Sequence, residues 1–306
     1  MNIVTELSSF DPPGHGTAVT IGAYDGVHLG HQALLERLRR LAEAGGHETV
    51  VVTFDRHPAS VVRPESAPRL LTDLDQKLEI IAATGNVDHV VVVHFDESRA
   101  REEAAHFVRE VLLDGLHARL VVVGEDFHFG RGRQGNVGLL REMGSVSGFD
   151  VVGMALVGSI SSTHIREQLG TGEVDAASAL LGRPYEVRGV VTRGESRGRE
   201  LGFPTANVEV PGEMALPSHG IYAGWYERPD GSIYPAAISL GVRPMFPAQR
   251  PVLESYLLEF DGDLYGEVAR VRFVERLRDE QRFDSVDLLT DQIGKDVAAT
   301  RAALGV

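Results

Sequence analysis

Several clusters in this chain contain residue types that handle phosphate. The first is His28 and His31 in the run Thr20-Ile21-Gly22-Ala23-Tyr24-Asp25-Gly26-Val27-His28-Leu29-Gly30-His31. That run reads as strand, glycine turn, helix start. Glycine lets the backbone approach a ligand closely, and a helix N-terminus offers unpaired amides and a partial positive charge. Imidazoles three residues apart at such a start can point at one anion. Nucleotidyl transfer needs fixed donors of this kind, because charge builds on the α-phosphoryl oxygens and on departing pyrophosphate. The competing reading is a pair of surface histidines in a helical first turn; the strand and glycine turn before them favour the functional one.

Ser161-Ser162-Thr163-His164-Ile165-Arg166 is a second candidate cradle. Hydroxyls and amides at a helix start can hold phosphate oxygens, with the Arg166 guanidinium one turn in; simple helix capping is the alternative. A third cluster runs from Arg193 to Asn207, rich in glycine and arginine, and leads into a strand. Thr205 and Asn207 alternate to one strand face, so both oxygens can meet a hard Mg²⁺ ion. Glu254, amid apolar neighbours on a strand-like segment, can take the proton from a hydroxyl attacking a γ-phosphate, or can be a charge on a solvent face. Asp126 in Gly124-Glu125-Asp126-Phe127-His128-Phe129-Gly130 can accept hydrogen bonds from a ribose or base, or belong to a plain turn. His57, just after Phe54, is placed the same way.

Two kinds of element must position these groups. Up to about residue 181, short apolar runs at 18–21, 49–54, 90–94, 120–123 and 151–157 alternate with helical stretches at 30–44, 74–83, 99–113 and 135–143. Ala104, Phe107, Val108, Val111 and Leu112 lie on one helical face. Such alternation predicts an α/β, Rossmann-like parallel sheet covered on both faces, with ligands at the carboxyl ends of its strands. The loops after Ile21, Phe54 and Val123 are those ends. Short helices near 162–170 and 174–181 close this half. After Gly182-Arg183-Pro184, strand-like segments at 186–192, 221–226, 233–240, 253–260 and 268–274 are separated by Gly, Pro and Asp, which predicts an antiparallel barrel or sandwich. A terminal helix follows Asp284-Ser285, with Val286, Leu289, Ile293 and Val297 on one stripe. The expected domains are 1–182 and 183–306.

At 306 residues the chain has room for two domains. Hydrophobic residues make up 43% and charged residues 24%, which argues against disorder. No apolar run is long enough to span a bilayer, no secretory signal is visible, and there are 0 cysteines, so a cytoplasmic protein is expected. A net charge of -14 argues against a nucleic-acid partner while allowing a pocket for a small anionic nucleotide.

The runs G-x-x-D-G-V-H-x-G-H (Gly22 to His31), G-x-D-F-x-F-G (Gly124 to Gly130), S-S-T-x-I-R (Ser161 to Arg166) and G-R-x-L-G-F-P-T-A-N (Gly198 to Asn207) resemble, in order and spacing, the bacterial bifunctional riboflavin kinase/FAD synthetases. The resemblance covers nearly the whole chain. It implies an N-terminal nucleotidyltransferase domain and a C-terminal antiparallel kinase barrel with a terminal helix. It also implies riboflavin, FMN, FAD and ATP as substrates and products, with Mg²⁺ and no membrane partner. By the resemblance, Gly22, Asp25, Gly26, His28, His31, Ser162, Thr163 and Arg166 handle one ATP. Phe54, His57 and Asp126 meet flavin. Gly198, Thr205 and Asn207 meet Mg-ATP in the kinase, and Glu254 is its general base. This chain departs from the family at Arg56, where Pro is usual, and at Ser239 and Met245, where Asn and Thr are usual. Those departures frame a second reading, an adenylyltransferase with a weak, silent or analogue-specific kinase. A non-catalytic flavin carrier is a third, and it leaves the two phosphate-handling sets without a purpose.

Overall fold

The computed structural model describes residues 1–155, 158–194, 198, 201–242 and 251–306, so Met245 lies outside the described residues. The chain divides into two compact units, Met1–Ser162 and Thr163–Val306.

The first unit is built on a six-stranded parallel sheet. Its strands are β1 (Asn2–Val4), β2 (Thr17–Ile21), β3 (Glu48–Phe54), β4 (His89–Val93), β5 (Ala118–Gly124) and β8 (Asp150–Met154), in the spatial order β1-β4-β3-β2-β5-β8. Between β5 and β8, β6 (His128–Phe129) and β7 (Gly135–Asn136) form a small antiparallel ladder. Valine-rich strands buried on both faces are what a parallel sheet needs. Val19, Ile21, Val50, Val52, Val121 and Val123 face one core, with Phe107, Val111 and Leu140. On the opposite side, Val51 and Val90 pack with Leu35 and Ile81, and Ala18 and Val122 with Leu38 and Ala42.

The helices are α1 (Leu29–Gly45), α2 (Pro58–Val62), α3 (Leu74–Ala83), α4 (Glu97–Arg101), α5 (Ala104–Phe107) and α6 (Val137–Ser147). Sequence periodicity predicts one helix over 99–113, whereas the structure breaks it at Glu102, which is extended (φ −66°, ψ 135°). The carbonyl freed by the break accepts from the Arg131 N–H at 2.7 Å, so a loop distant in sequence satisfies it. After the break, α5 runs into a π-wound segment, Val108–Gly115.

The second unit opens with α7 (Ser162–Thr171, whose first residue belongs to the first unit) and α8 (Val174–Leu181). A closed antiparallel barrel follows: β9 (Tyr185–Thr192), β10 (Ala206–Glu209), β11 (Gly220–Glu227), β12 (Ile233–Val242), β13 (Pro251–Leu257) and β14 (Val268–Arg278), closed in the order β10-β13-β12-β11-β14-β9. Helix α8 packs on β14 and β9. The terminal helix α9 (Val286–Leu304) packs on β11, β12 and β14, and Ser285 caps it by accepting from the Leu288 N–H at 3.3 Å. Its inner face departs from the expected stripe. Val286 is exposed, while Asp296 and Thr300 are buried. The reason is an ion pair: Asp296 receives the Arg278 guanidinium through two bonds, at 2.8 and 2.6 Å.

Candidate active sites

The first site lies where β2 ends and α1 begins. Gly22 continues the sheet by donating its N–H to Val52 O at 3.0 Å. The chain then turns sharply, with positive φ at Tyr24 (51°), Gly26 (81°) and Val27 (37°). Such values suit glycine, but a β-branched residue adopts them only when its surroundings impose them. Here they do. Asp25 is buried, and its Oδ1 accepts from the Leu71 and Thr72 N–H groups at 2.9 and 3.2 Å. Gly26 N–H donates to Thr72 Oγ1 at 3.1 Å, and Gln32 Nε2 donates to Val27 O at 2.9 Å.

His28 is the cap of α1: its Nδ1 accepts from the His31 N–H at 3.3 Å. The two imidazoles stack with centroids 3.7 Å apart and planes 13° from parallel. The Tyr24 ring lies 4.9 Å from that of His31. Glycine at position 30 makes room for this, since a Cβ there would stand 3.2 Å from His28 ring atoms. His31 is half-buried as a residue, but its Nδ1 is sealed from solvent and has no hydrogen-bond partner among the described residues. Burial holds its pKa well below the ordinary histidine value, reinforced by electrostatic repulsion from the neighbouring His28 and Lys77. At neutral pH, His31 is therefore a neutral donor or acceptor. The Ser162 hydroxyl reaches this loop and donates to Asp25 O at 2.9 Å. Thr163 is exposed at the start of α7, and Arg166 is half-buried one turn further along.

At the neighbouring strand end, Phe54 is half-buried and meets Phe95 edge-on at 5.2 Å. His57 caps α2 by accepting from the Ala59 N–H at 3.1 Å. Arg56 turns its guanidinium onto Asp55 at 3.1 Å. Burial pushes Asp55 up, but the Phe95 N–H, His94 and Arg56 outweigh it and hold the carboxyl below the usual range. After β5, Asp126 is exposed, while the Phe127 and Phe129 rings stack at 5.4 Å and pack on the core.

Lys77 is the residue that sequence reading passed over. It is only 7% exposed, and its ammonium donates to Phe54 O at 2.8 Å, Thr53 Oγ1 at 3.1 Å and Ala23 O at 3.3 Å. The signal was its position. Leu74, Lys77, Leu78 and Ile81 form one helical stripe, and a lysine inside an apolar stripe is buried for a reason.

The second site is on the outer face of the barrel. Along β13, Leu253, Ser255 and Leu257 point inward and are buried, so Glu254 faces out and is half-buried. On β10, Ala206 and Val208 are buried, and Asn207 faces out. Register pairs Asn207 with Glu254 on one side and with Thr192 on the other. Glu254 also pairs with Ser239 on β12. Thr192, Asn207, Glu254 and Ser239 thus form one cross-strand row, with directly opposed Cβ atoms about 5 Å apart. The departure from the family at Ser239 therefore sits next to Glu254. Thr205 is half-buried just before β10. Leu201 and Phe203 both donate their N–H groups to Gly198 O, at 3.2 and 2.8 Å, closing the turn that precedes it. A Cβ on Gly194 would collide with the Asn207 amide, so glycine there leaves that amide its place. A hydroxyl and an amide oxygen, with a carboxylate opposite, are hard oxygen donors of the kind that Mg²⁺ takes.

The FAD synthetase family model matches residues 11–168, and the riboflavin kinase family model matches residues 181–304. The chain is 39% identical over 307 residues to the bifunctional riboflavin kinase/FMN adenylyltransferase of Pseudomonas fluorescens, covering 99% of this chain and 97% of that one. It is 36% identical over 302 residues to the corresponding protein of Escherichia coli K12, covering 96% and 95%. Among solved structures, the macrolide-efflux protein of Streptococcus pneumoniae superposes with a TM-score of 0.86 at 29% identity, covering 98% of each chain. Among the described residues, no helix of the present chain is long and apolar enough to cross a membrane. A parallel sheet carrying the stacked histidines, a closed barrel carrying Asn207 opposite Glu254, and matches over both halves lead to one conclusion: the chain belongs to the bifunctional riboflavin kinase/FMN adenylyltransferase family.

Proposed function

We propose that the chain converts riboflavin and ATP to FMN and ADP, then FMN and a second ATP to FAD and pyrophosphate. The observation that carries the second reaction is the stacked His28–His31 pair at the start of α1, directly after a parallel strand. An FMN phosphate oxygen attacks the α-phosphorus of ATP, and the bond to pyrophosphate breaks. The α1 amides and the imidazoles stabilise charge on the transferring group and on pyrophosphate. Ser162, Thr163 and Arg166 hold phosphate oxygens, with Gly22, Asp25 and Gly26 shaping the loop. Phe54, His57 and Asp126 contact the flavin.

In the barrel, Glu254 takes the proton from the riboflavin 5′-hydroxyl as its oxygen attacks the γ-phosphorus. Thr205 and Asn207 would hold Mg²⁺, which when bound neutralises charge on the phosphates, and Gly198 lets the chain approach them. The pairing of Ser239 with Glu254 supports a second reading, in which this kinase is slow or prefers a flavin analogue. Absence of cysteine supports a reducing, cytoplasmic setting. Incubating the protein with riboflavin, ATP and Mg²⁺ and resolving flavins over time tests all of this. FMN followed by FAD is expected. FAD formed only from supplied FMN would favour the second reading, and unchanged flavin would refute both.

A further inference from the structure

We propose that Lys77 is a positioning residue for adenylyl transfer: its ammonium ties the ends of β2 and β3 together against the nucleotide loop and places a fixed positive charge there. This rests on the adenylyltransferase reading above.

An ammonium has three protons to donate, and here each has an oxygen: Ala23 O after β2, Thr53 Oγ1 within β3 and Phe54 O at its end. None of the three is a carboxylate, so among the described residues no contact ion pair cancels the charge. The acidic groups facing Lys77 are engaged elsewhere. Asp25, on the β2–α1 loop, gives Oδ1 to the Leu71 and Thr72 N–H groups. Asp55, on the β3–α2 loop, accepts from the Phe95 N–H and pairs with His94 and Arg56. His31 faces it from α1 and is neutral, and on its own helix Asp73 caps by accepting from the Gln76 N–H at 2.7 Å, with Asp75 in the first turn.

A buried cation acts over longer distances than a surface lysine does, even with the Asp25 and Asp55 carboxylates in range. Its position suits a reaction in which negative charge grows on a phosphoryl group and on departing pyrophosphate. Deprotonation leaves the amine two protons for three acceptors, so loss of the charge also loosens the tie. Burial pushes Lys77 down to about 8, against the opposing pull of Asp25 and Asp55, so the charge can be removed within a range the folded protein tolerates. Adenylyl transfer should then decline as pH rises through that value.

The test uses the full-length protein, following FAD formation from FMN and ATP from about pH 6.5 to 9.5, with riboflavin phosphorylation by the same chain as control. Wild type should show a basic limb near pH 8 in kcat for adenylyl transfer. Lys77→Met should lower that kcat at neutral pH by at least roughly tenfold and abolish the limb, leaving riboflavin phosphorylation within about twofold. Thr53→Val keeps the ammonium but removes one acceptor, so the limb should move to lower pH. Wild-type protein that forms no FAD overturns the adenylyltransferase reading itself. FAD formation by wild type with an unaltered rate in Lys77→Met, or a limb that Thr53→Val leaves in place, overturns the role of Lys77 alone. If Lys77→Met fails to fold, Thr53→Val decides the matter.

Discussion

Helix α8 should be part of the folding unit of the barrel, even though the riboflavin kinase match begins only at residue 181. Val174, Ala177 and Leu181 are fully buried on a helix that packs against β14 and β9. The Tyr185 N–H donates to Ser178 Oγ at 3.3 Å, and Ser218 N–H donates to Leu169 O at 2.9 Å, so α7 is also fastened to the barrel's loops. Fully burying a Val or Leu stabilises by about 1.5–3 kcal/mol and a methyl group by roughly 0.8, so removing α8 forfeits about 4–7 kcal/mol as an upper estimate. A domain of this size has roughly 5–15 kcal/mol in all. We therefore expect a polypeptide of residues 163–306 to unfold cooperatively and to phosphorylate riboflavin. One of residues 182–306 should melt at least ~10 °C lower or be largely unfolded. Urea and thermal unfolding of both by circular dichroism, with kinase assays alongside, measure the difference. Stabilities within about 1 kcal/mol of each other would show that the burial of α8 contributes little, and would return the boundary to Gly182.

Three further outcomes are expected. His28→Ala should lower FAD formation at least roughly tenfold and cost about 1 kcal/mol of stability through the lost cap, whereas His28→Asn should restore stability without activity; product assays and urea unfolding separate the two. Glu254→Gln should reduce riboflavin phosphorylation by about 10²-fold with FMN adenylylation nearly unchanged, and an unaltered kinase rate would remove Glu254 as base. His31 stays neutral in the folded chain to well below its unfolded value of about 6.5, so below that value the unfolded chain binds the extra proton and stability falls with pH. Comparing urea midpoints of wild type and His31→Gln between about pH 7 and pH 5 should show a shallower loss in the variant.

Much of this architecture was legible because its periodicities are strong. Valine runs alternating with amphipathic stretches specify a covered parallel sheet, and turn-bounded alternating segments specify the barrel. What escaped was tertiary in origin. β1 has three residues, Asn2–Val4, too few to show an alternation, and becomes a strand only by pairing with β4. The break at Glu102 depends on Arg131 lying across it. Position 286 carries an apolar residue, yet α9 turns Asp296 inward because Arg278 waits there. In the first site, the residue types of His28 and His31 were readable, but not that one caps the helix while the other is sealed beside it. The row through Asn207, Glu254 and Ser239 needed strand register, which no local pattern supplies.

On the proposed assignment, the two sites meet the same difficulty, binding polyphosphate on a chain of net charge -14, with oriented groups rather than a surplus of cations. In the first unit the orientation is imposed on a backbone that resists it. Tyr24 and Val27 at positive φ each cost of order 1–3 kcal/mol. The opposing interactions are local and numerous: Asp25 to the Leu71 and Thr72 amides, Gly26 to Thr72, Val27 to Gln32, and Tyr24 Oη to Thr20 Oγ1 at 2.7 Å. Bonds of this kind contribute about 1 kcal/mol each, more where a carboxylate accepts, so together they match the strain. The loop is therefore held in shape before any nucleotide arrives, with the α1 amides already aimed and His28 already seated by its cap. A site arranged in this way has little reorganisation left to do when charge develops, which is the condition under which neutral donors stabilise a phosphoryl transition state.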